Sequence, residues 1–184
     1  MRLGLDEQGV TELMAAVDHA SGLTKLAAGL RLAPDVPEAA GGTRGSPGLL
    51  RPVREEEAEG RVGAIFREIR AWAGEHLGID RVPGLWLALG HHPVYLDAVW
   101  RREQALMGEG AVSRLQKLCV GFALAANTVS PYMVDYYAAG LRRLGLDEHG
   151  FLEVLAVVDY FNNLNTLAAG MDIESDIKPG GVDP

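Results

Sequence analysis

Cysteine is nearly absent from the sequence: one residue, Cys119, stands in a chain of 184. A single cysteine excludes a disulfide within the chain and excludes a Cys-x-x-Cys site of any kind. The sequence also lacks an uninterrupted apolar run of roughly 18 residues, the length that suggests a membrane span. Its first residues lack the apolar centre of a signal peptide. We therefore expect a cytoplasmic protein that does not enter a membrane.

Positive charge is also scarce. The 17 Lys and Arg residues are outnumbered by 25 Asp and Glu residues, which gives a formal net charge of −8. This balance argues against nucleic acid or an anionic membrane as a partner, because both repel an acidic surface. The rest of the composition, 48% hydrophobic and 23% charged, is ordinary for a globular protein. At this length we expect one domain, or one domain with an appendage.

The sequence is rich in helical periodicity. Residues 113–170 contain three consecutive amphipathic segments, separated at Ser130-Pro131 and at Gly145-Leu146-Asp147. Helical spacing of apolar residues recurs over 3–29, 54–77 and 94–107, and residues 82–89 form a short apolar segment of one or two turns. The predicted fold class is all-α, a bundle of about six or seven helices in which the N-terminal helix repeats the last helix of the core.

The sequence also predicts the roles of several individual residues in these helices. Ser130 before Pro131 predicts an N-cap, and Asp147 predicts a carboxylate cap for the last helix. Cys119 falls on an apolar stripe, where we expect a buried and unreactive thiol. On the helix after Pro93, Glu103 falls on the polar face and is expected to point outward.

Residues 33–53 hold four of the nine prolines together with four glycines, a composition typical of a linker. The predicted organisation is an N-terminal helical segment over 1–36, a linker over 37–53 and a helical domain over 54–184. The N-terminal segment is a partial internal repeat, because residues 3–36 match residues 144–177 at 16 of 34 positions. We expect its helix to dock on a hairpin like 114–144, in its own chain or in a neighbouring subunit. The residues expected to dock are Val10, Leu13, Met14 and Val17.

Several short patterns follow one another in the helical domain. They include Val82-Pro83, His91-His92-Pro93, the sequence Leu-Gly-Leu-Asp-Glu at 144–148 and Tyr-Phe-Asn-x-x-Asn at 160–165. This order resembles the alkylhydroperoxidase AhpD and carboxymuconolactone decarboxylase family, in its peroxidase-related branch, over roughly residues 55–174. The resemblance implies an AhpD-like helical bundle, and it favours a homo-oligomer.

The active motif of that family is Cys-x-x-Cys-x-x-x-His, with a glutamate on the preceding helix. These positions fall on Ser130, Met133, Tyr137 and the neighbourhood of Leu118, and none has the residue of the family. A serine hydroxyl has no redox cycle, and methionine cannot close a disulfide. Tyrosine, with an ordinary pKa of about 10, is a poor base at neutral pH. We therefore predict that the dithiol chemistry is lost.

Three functions stay open at this stage. The first is a non-enzymatic oligomer that serves as a scaffold or binds a small apolar ligand. The second is a thiol-free enzyme of the decarboxylase type, in which Tyr132, Tyr137 or Asp135 transfers a proton; Asn162 and Asn165 are further candidates for a pocket. The third is a peroxidase that depends on Cys119 alone. No cofactor is expected, and His91-His92 and Glu55 to Glu57 lack the spacing of metal ligands.

The last predicted helix, from 148 to 169, is apolar almost all round. Such a helix needs more than one neighbour to cover it. We therefore expect a homo-oligomer in which this helix contributes to the contact between subunits.

Overall fold

The computed structural model describes residues 5–35 and 48–174, and within these ranges the chain forms helices and no strands. The all-α prediction is therefore confirmed for the described part. A short 3-10 helix covers Glu55–Glu57, and seven α-helices follow the order α1 (Glu7–Gly29), α2 (Gly60–His76), α3 (Gly84–Leu89), α4 (Pro93–Leu106), α5 (Arg114–Asn127), α6 (Pro131–Arg143) and α7 (Glu148–Gly170). None of the described helices is long and apolar enough to cross a membrane.

Of the two caps predicted for the last two helices, at Ser130 and Asp147, one is formed. Asp147 accepts a hydrogen bond from the Gly150 N–H at 2.9 Å, as predicted. Ser130 occupies the N-cap position of α6, but its side chain makes no capping hydrogen bond. Ser130 instead lies buried where α5 turns into α6, and its N–H donates to the Ala125 carbonyl. Pro131 has no N–H at the first helical position, so the start of α6 has one donor fewer to satisfy.

The antiparallel pair α5 and α6 lies at the centre of the fold, and α1, α2, α3 and α4 pack around it. Three tryptophans connect helices α2, α3 and α4. Trp100 of α4 makes edge-to-face contacts with Trp72 of α2 and Trp86 of α3, at centroid distances of 5.5 and 5.4 Å. Aromatic pairs of this geometry add to the area burial that stabilises a core. This core holds the α5–α6 pair in place.

Helix α1 docks on α4, α5 and α6 of its own chain, but not through all the predicted residues. Val10 and Met14 are exposed, so their predicted role in docking is wrong; Leu13 and Val17 are half-buried. The buried stripe is instead formed by Ala16, Ala20, Leu23 and Ala27. Small side chains let two helices approach closely, which favours this stripe over the bulkier one.

Helix α7 packs mainly against α5 and leaves most of its surface open. Its contacts lie near its start, where the Phe151 ring meets that of Phe122 at 5.2 Å and the Arg142 guanidinium lies over it. The large apolar residues farther along are exposed: Leu152, Leu155, Val157, Tyr160, Phe161, Leu164 and Leu167. Within one chain, α7 therefore does not have the several neighbours that its composition predicts.

Most of the predicted linker, residues 37–47, lies outside the described residues. The division of the chain into 1–36, 37–53 and 54–184 stays a prediction. The structure shows that Leu23 of α1 and Phe66 of α2 belong to the same hydrophobic core.

Candidate functional site

The positions that correspond to the cysteines and the histidine of the motif run from the start to the middle of α6, against α5. Ser130 is 4% exposed, Met133 is fully buried and Tyr137 is 1% exposed. Met133 and Tyr137 belong to the main hydrophobic core. The sequence left open whether this face lines a pocket or fills the core; in the structure it fills the core.

Tyr137 fits against a glycine of the neighbouring helix. A Cβ placed on Gly121 would lie 2.6 Å from Cε1 of the Tyr137 ring, closer than real Cβ atoms come to a neighbour. The ring therefore uses the space that the missing side chain leaves. Burial, and secondarily the negative charge of Glu103, raise the pKa of the Tyr137 hydroxyl well above its ordinary value. Tyr137 thus stays protonated and cannot act as a base near neutral pH.

A buried imidazole–carboxylate pair lies close to Tyr137. His19 Nε2 of α1 and Glu103 Oε2 of α4 are 2.8 Å apart, and each side chain is 2% exposed. The expectation that Glu103 points outward is wrong, because α1 covers that side of α4. No local sequence pattern indicated this pair, since its members are 84 residues apart. A buried carboxylate needs a partner, and His19 supplies one.

Tyr132 and Asp135 lie at a different place, a narrow cleft between α6 and the end of α2. The cleft has about 20 Å³ of space for a water-sized sphere. Its lining consists of Asp35, Leu77, Ile79, Tyr132, Asp135, Tyr136 and Ala139. The Tyr132 hydroxyl accepts a hydrogen bond from the Leu85 N–H at 2.9 Å. Loss of water contact raises the pKa of the Asp135 carboxyl.

Burial also raises the pKa of Tyr132, and the nearby Asp35 carboxylate acts in the same direction. Asp35 is held in place by the Gly84 N–H, which lies 3.0 and 3.1 Å from its two carboxylate oxygens. The cleft therefore combines an acid that is shifted toward its neutral form with a phenol that stays protonated. Such a pair could exchange a proton with a ligand, but the space holds about one water molecule.

The remaining candidate residues do not join this cleft. Asn162 is exposed on α7 and donates to the Asn127 side chain at 2.7 Å, and Asn165 is exposed on the same helix. Cys119 is half-buried on α5, and loss of water contact raises the pKa of its thiol. A raised pKa lowers the thiolate fraction on which nucleophilic attack depends.

The histidines before α4 have structural roles. His92 Nδ1 accepts from the Tyr95 N–H at 3.1 Å and so caps the helix, while His91 Nε2 bonds to the Arg51 carbonyl. Glu55 pairs with Arg70. Across residues 5–35 and 48–174, no group of three or more His, Cys, Asp or Glu side chains is arranged to hold a metal ion.

Comparison with solved structures found a similar fold. The crystal structure of the alkylhydroperoxidase AhpD core from Rhodospirillum rubrum superposes with a TM-score of 0.63 and 27% sequence identity. The match covers 70% of this chain and 93% of the AhpD core. The fold is thus AhpD-like, as the resemblance in the sequence implied. No protein-family model matches the chain, and the search of curated proteins found no match.

Proposed function

We propose that this chain has kept the AhpD-like bundle, has lost the dithiol chemistry and acts by associating with copies of itself, as a helical scaffold. The observation that carries the proposal is the open apolar surface of α7. Monomeric proteins rarely expose large contiguous apolar patches, and those that do mostly use them for binding. The partner proposed for this surface is a second copy of the chain.

The size of the effect supports association. Val157, Tyr160, Phe161 and Leu164 are each between 42% and 59% exposed on α7. Fully burying a side chain of this size contributes about 1.5–3 kcal/mol, so covering the exposed part of four of them contributes several kcal/mol per subunit. Part of this offsets the entropy lost on association.

A scaffold is favoured over a protein that binds a small apolar ligand. The groove between α1 and α5, lined by Thr24, Ala28 and Leu124, has about 80 Å³ of space for a water-sized sphere. Sites for drug-sized ligands commonly enclose about 300–1,000 Å³. Neither this groove nor the cleft at Asp135 reaches that size. A third hollow, beside α2, has about 310 Å³, but four of its seven lining residues are the charged Glu55, Glu56, Arg67 and Arg70, which do not suit an apolar ligand.

The loss of peroxidase chemistry can be tested directly. We expect no reduction of an organic hydroperoxide by the purified protein with a dithiol reductant, beyond the rate without protein. The reason is that Ser130 and Met133 cannot form the redox disulfide, and the raised pKa of Cys119 disfavours its thiolate. Turnover that Cys119→Ser abolishes would contradict this and identify a peroxidase that uses a single thiol.

A second candidate is proton-transfer catalysis at the cleft, favoured by the raised pKa of Asp135 beside Tyr132. Its test is the loss of carbon dioxide from a carboxymuconolactone, measured for the wild type and for Asp135→Asn, with Asp159→Asn on α7 as the control. Our main proposal predicts no activity in any of the three. Activity that disappears in Asp135→Asn alone would make the enzyme the better account.

A further inference from the structure

Helices α1 and α7 are built alike from end to end. Each has 23 residues, and each begins with an aspartate whose side chain accepts from the glycine N–H three residues later, Asp6 from Gly9 and Asp147 from Gly150. Each is followed by a residue with positive φ, 53° at Arg31 and 52° at Asp172. The two copies of the sequence repeat, 141 positions apart, therefore form helices of the same length that begin and end in the same way.

The two helices differ in what they touch. Helix α1 lies in a groove whose walls are α4 and α5, and three polar contacts anchor it there. Glu12 forms an ion pair with Lys117 of α5, and Asp18 forms one with Arg102 of α4. The third contact is the buried His19–Glu103 pair described above.

Helix α7 carries the counterparts of all three anchors at the same spacing. Glu153 corresponds to Glu12, Asp159 to Asp18 and Tyr160 to His19. The two carboxylates can pair with Lys117 and Arg102 as those of α1 do. The phenol of Tyr160 has an O–H that can donate to the Glu103 carboxylate, as an imidazole N–H can.

The buried apolar residues of α1 have identical counterparts on α7 at some positions and larger counterparts at others. Leu23 and Ala27, which α1 buries, recur as Leu164 and Ala168 on α7. Ala16 and Ala20 recur as the larger Val157 and Phe161, both 56% exposed. The distance between packed helices depends on the side chains at the contact. An α7 helix placed in the position of α1 would therefore lie farther from α5 than α1 lies. This makes α1 the tighter occupant of the groove.

We propose that the groove between α4 and α5 is a docking site for α7 of a second copy of this chain, and that α1 occupies it in competition. The inference rests on the proposed self-association and adds a second surface, which α7 of a neighbour reaches only when α1 leaves it. In the intact chain α1 holds the groove, because it fits more closely and is tethered to the same chain. When α1 leaves, the groove offers Lys117, Arg102 and Glu103 to the matching residues of a neighbouring α7.

The first test asks whether the groove accepts the α7 sequence. In a full-length chain with Cys119→Ser, the sequence of residues 148–170 replaces that of residues 7–29. D18C and R102C report docking through a short bis-maleimide cross-linker, because a contact made by the end of an arginine side chain does not bring two backbones within disulfide distance. The reference has the same three substitutions and its own α1. We expect cooperative thermal unfolding at a lower temperature than the reference, because Val and Phe replace the buried Ala16 and Ala20. We expect a cross-link yield within a few-fold of the reference, since position 18 still lies beside position 102.

A matched control carries Glu12→Lys in the transplanted helix, which places a second positive charge against Lys117. We expect its cross-link yield to fall several-fold. A transplanted chain that forms no cross-link between positions 18 and 102, or a control with an unchanged yield, would overturn the proposal. The readout lies within one chain, so it is independent of whether the wild type self-associates; failure of association alone would appear only as a monomeric mass.

The second test detects α7 of a neighbour in the groove. In the Cys119→Ser background, R102C and D159C are combined with Ala20→Glu, which puts a charge into the buried stripe of α1. With the same cross-linker, we expect several-fold more cross-linked dimer than in the same pair without Ala20→Glu. The control replaces D159C with N163C, whose counterpart on α1, Gly22, faces open space. Equal dimer yields for the two positions would contradict the proposal, and if Ala20→Glu prevents folding, the transplanted helix decides alone.

Discussion

Tyr137 and Gly121 lie on neighbouring helices, and the fit between them decides what the middle of α6 can do. The sequence shows that tyrosine stands where the family has histidine. It does not show that a glycine 16 positions earlier makes room for the ring, because no local pattern links the two residues. The same holds for His19 and Glu103, whose pairing requires the packing of α1 on α4. Residue types at the site were thus predictable, whereas their surroundings depended on contacts between distant segments.

The fit can be tested by comparing two glycine substitutions in helices. We expect Gly121→Ala to be less stable than Gly22→Ala by about 1–3 kcal/mol, because the new methyl group would overlap the Tyr137 ring. Gly22 has no atom within 4 Å of an added Cβ, so its substitution keeps the gain in helix propensity without the overlap. Urea unfolding of the two variants measures the difference. Equal stabilities would show that Tyr137 is not tightly held.

At the scale of the elements, local signals predicted where helices start and end better than which side they bury. The cap of α7 at Asp147 was readable because it needs only neighbouring residues. The buried stripe of α1 was not, since two stripes compete: one with Val10 and Met14, the other with Ala16 and Ala20. The groove on α4 and α5 selects the smaller one, and the sequence of α1 alone does not describe that groove.

The contact of α1 with α5 should depend on pH through Glu12. Its hydrogen bond with Lys117 is the main cause that holds the pKa of the Glu12 carboxyl below its ordinary 4.5. A lowered pKa in the folded state adds stability above the ordinary pKa, and this stability is lost as the pH falls through the lowered value. The melting temperature of the wild type should therefore exceed that of Glu12→Gln near pH 7, and the difference should shrink below pH 4.5.

Glu56→Gln, an exposed carboxylate outside the α1 contact, serves as the control. A difference between the wild type and Glu12→Gln that stays constant from pH 7 to pH 3 would mean that the Glu12 charge does not contribute.

At the scale of the whole molecule, α1 to α6 share a core, and α7 reaches it mainly through Phe151 and Val154. The sequence was sufficient for the all-α class and for the likeness to AhpD, because helical periodicity and the order of short patterns extend over the domain. It also indicated that α7 needs several neighbours. Within one chain, α5 is the main neighbour of α7. The surfaces that a second copy would add against α7 cannot be identified from a single sequence. Self-association is therefore the claim on which the account of α7 depends.

Light scattering at micromolar concentration tests this claim most directly. The account predicts that the wild type has a mass that is a multiple of 19.7 kDa. The variant Phe161→Asp/Leu164→Asp should shift toward the monomer, because it places charge on the open face of α7, whereas Asn163→Asp should leave the mass unchanged. A wild-type mass near 19.7 kDa would contradict the account.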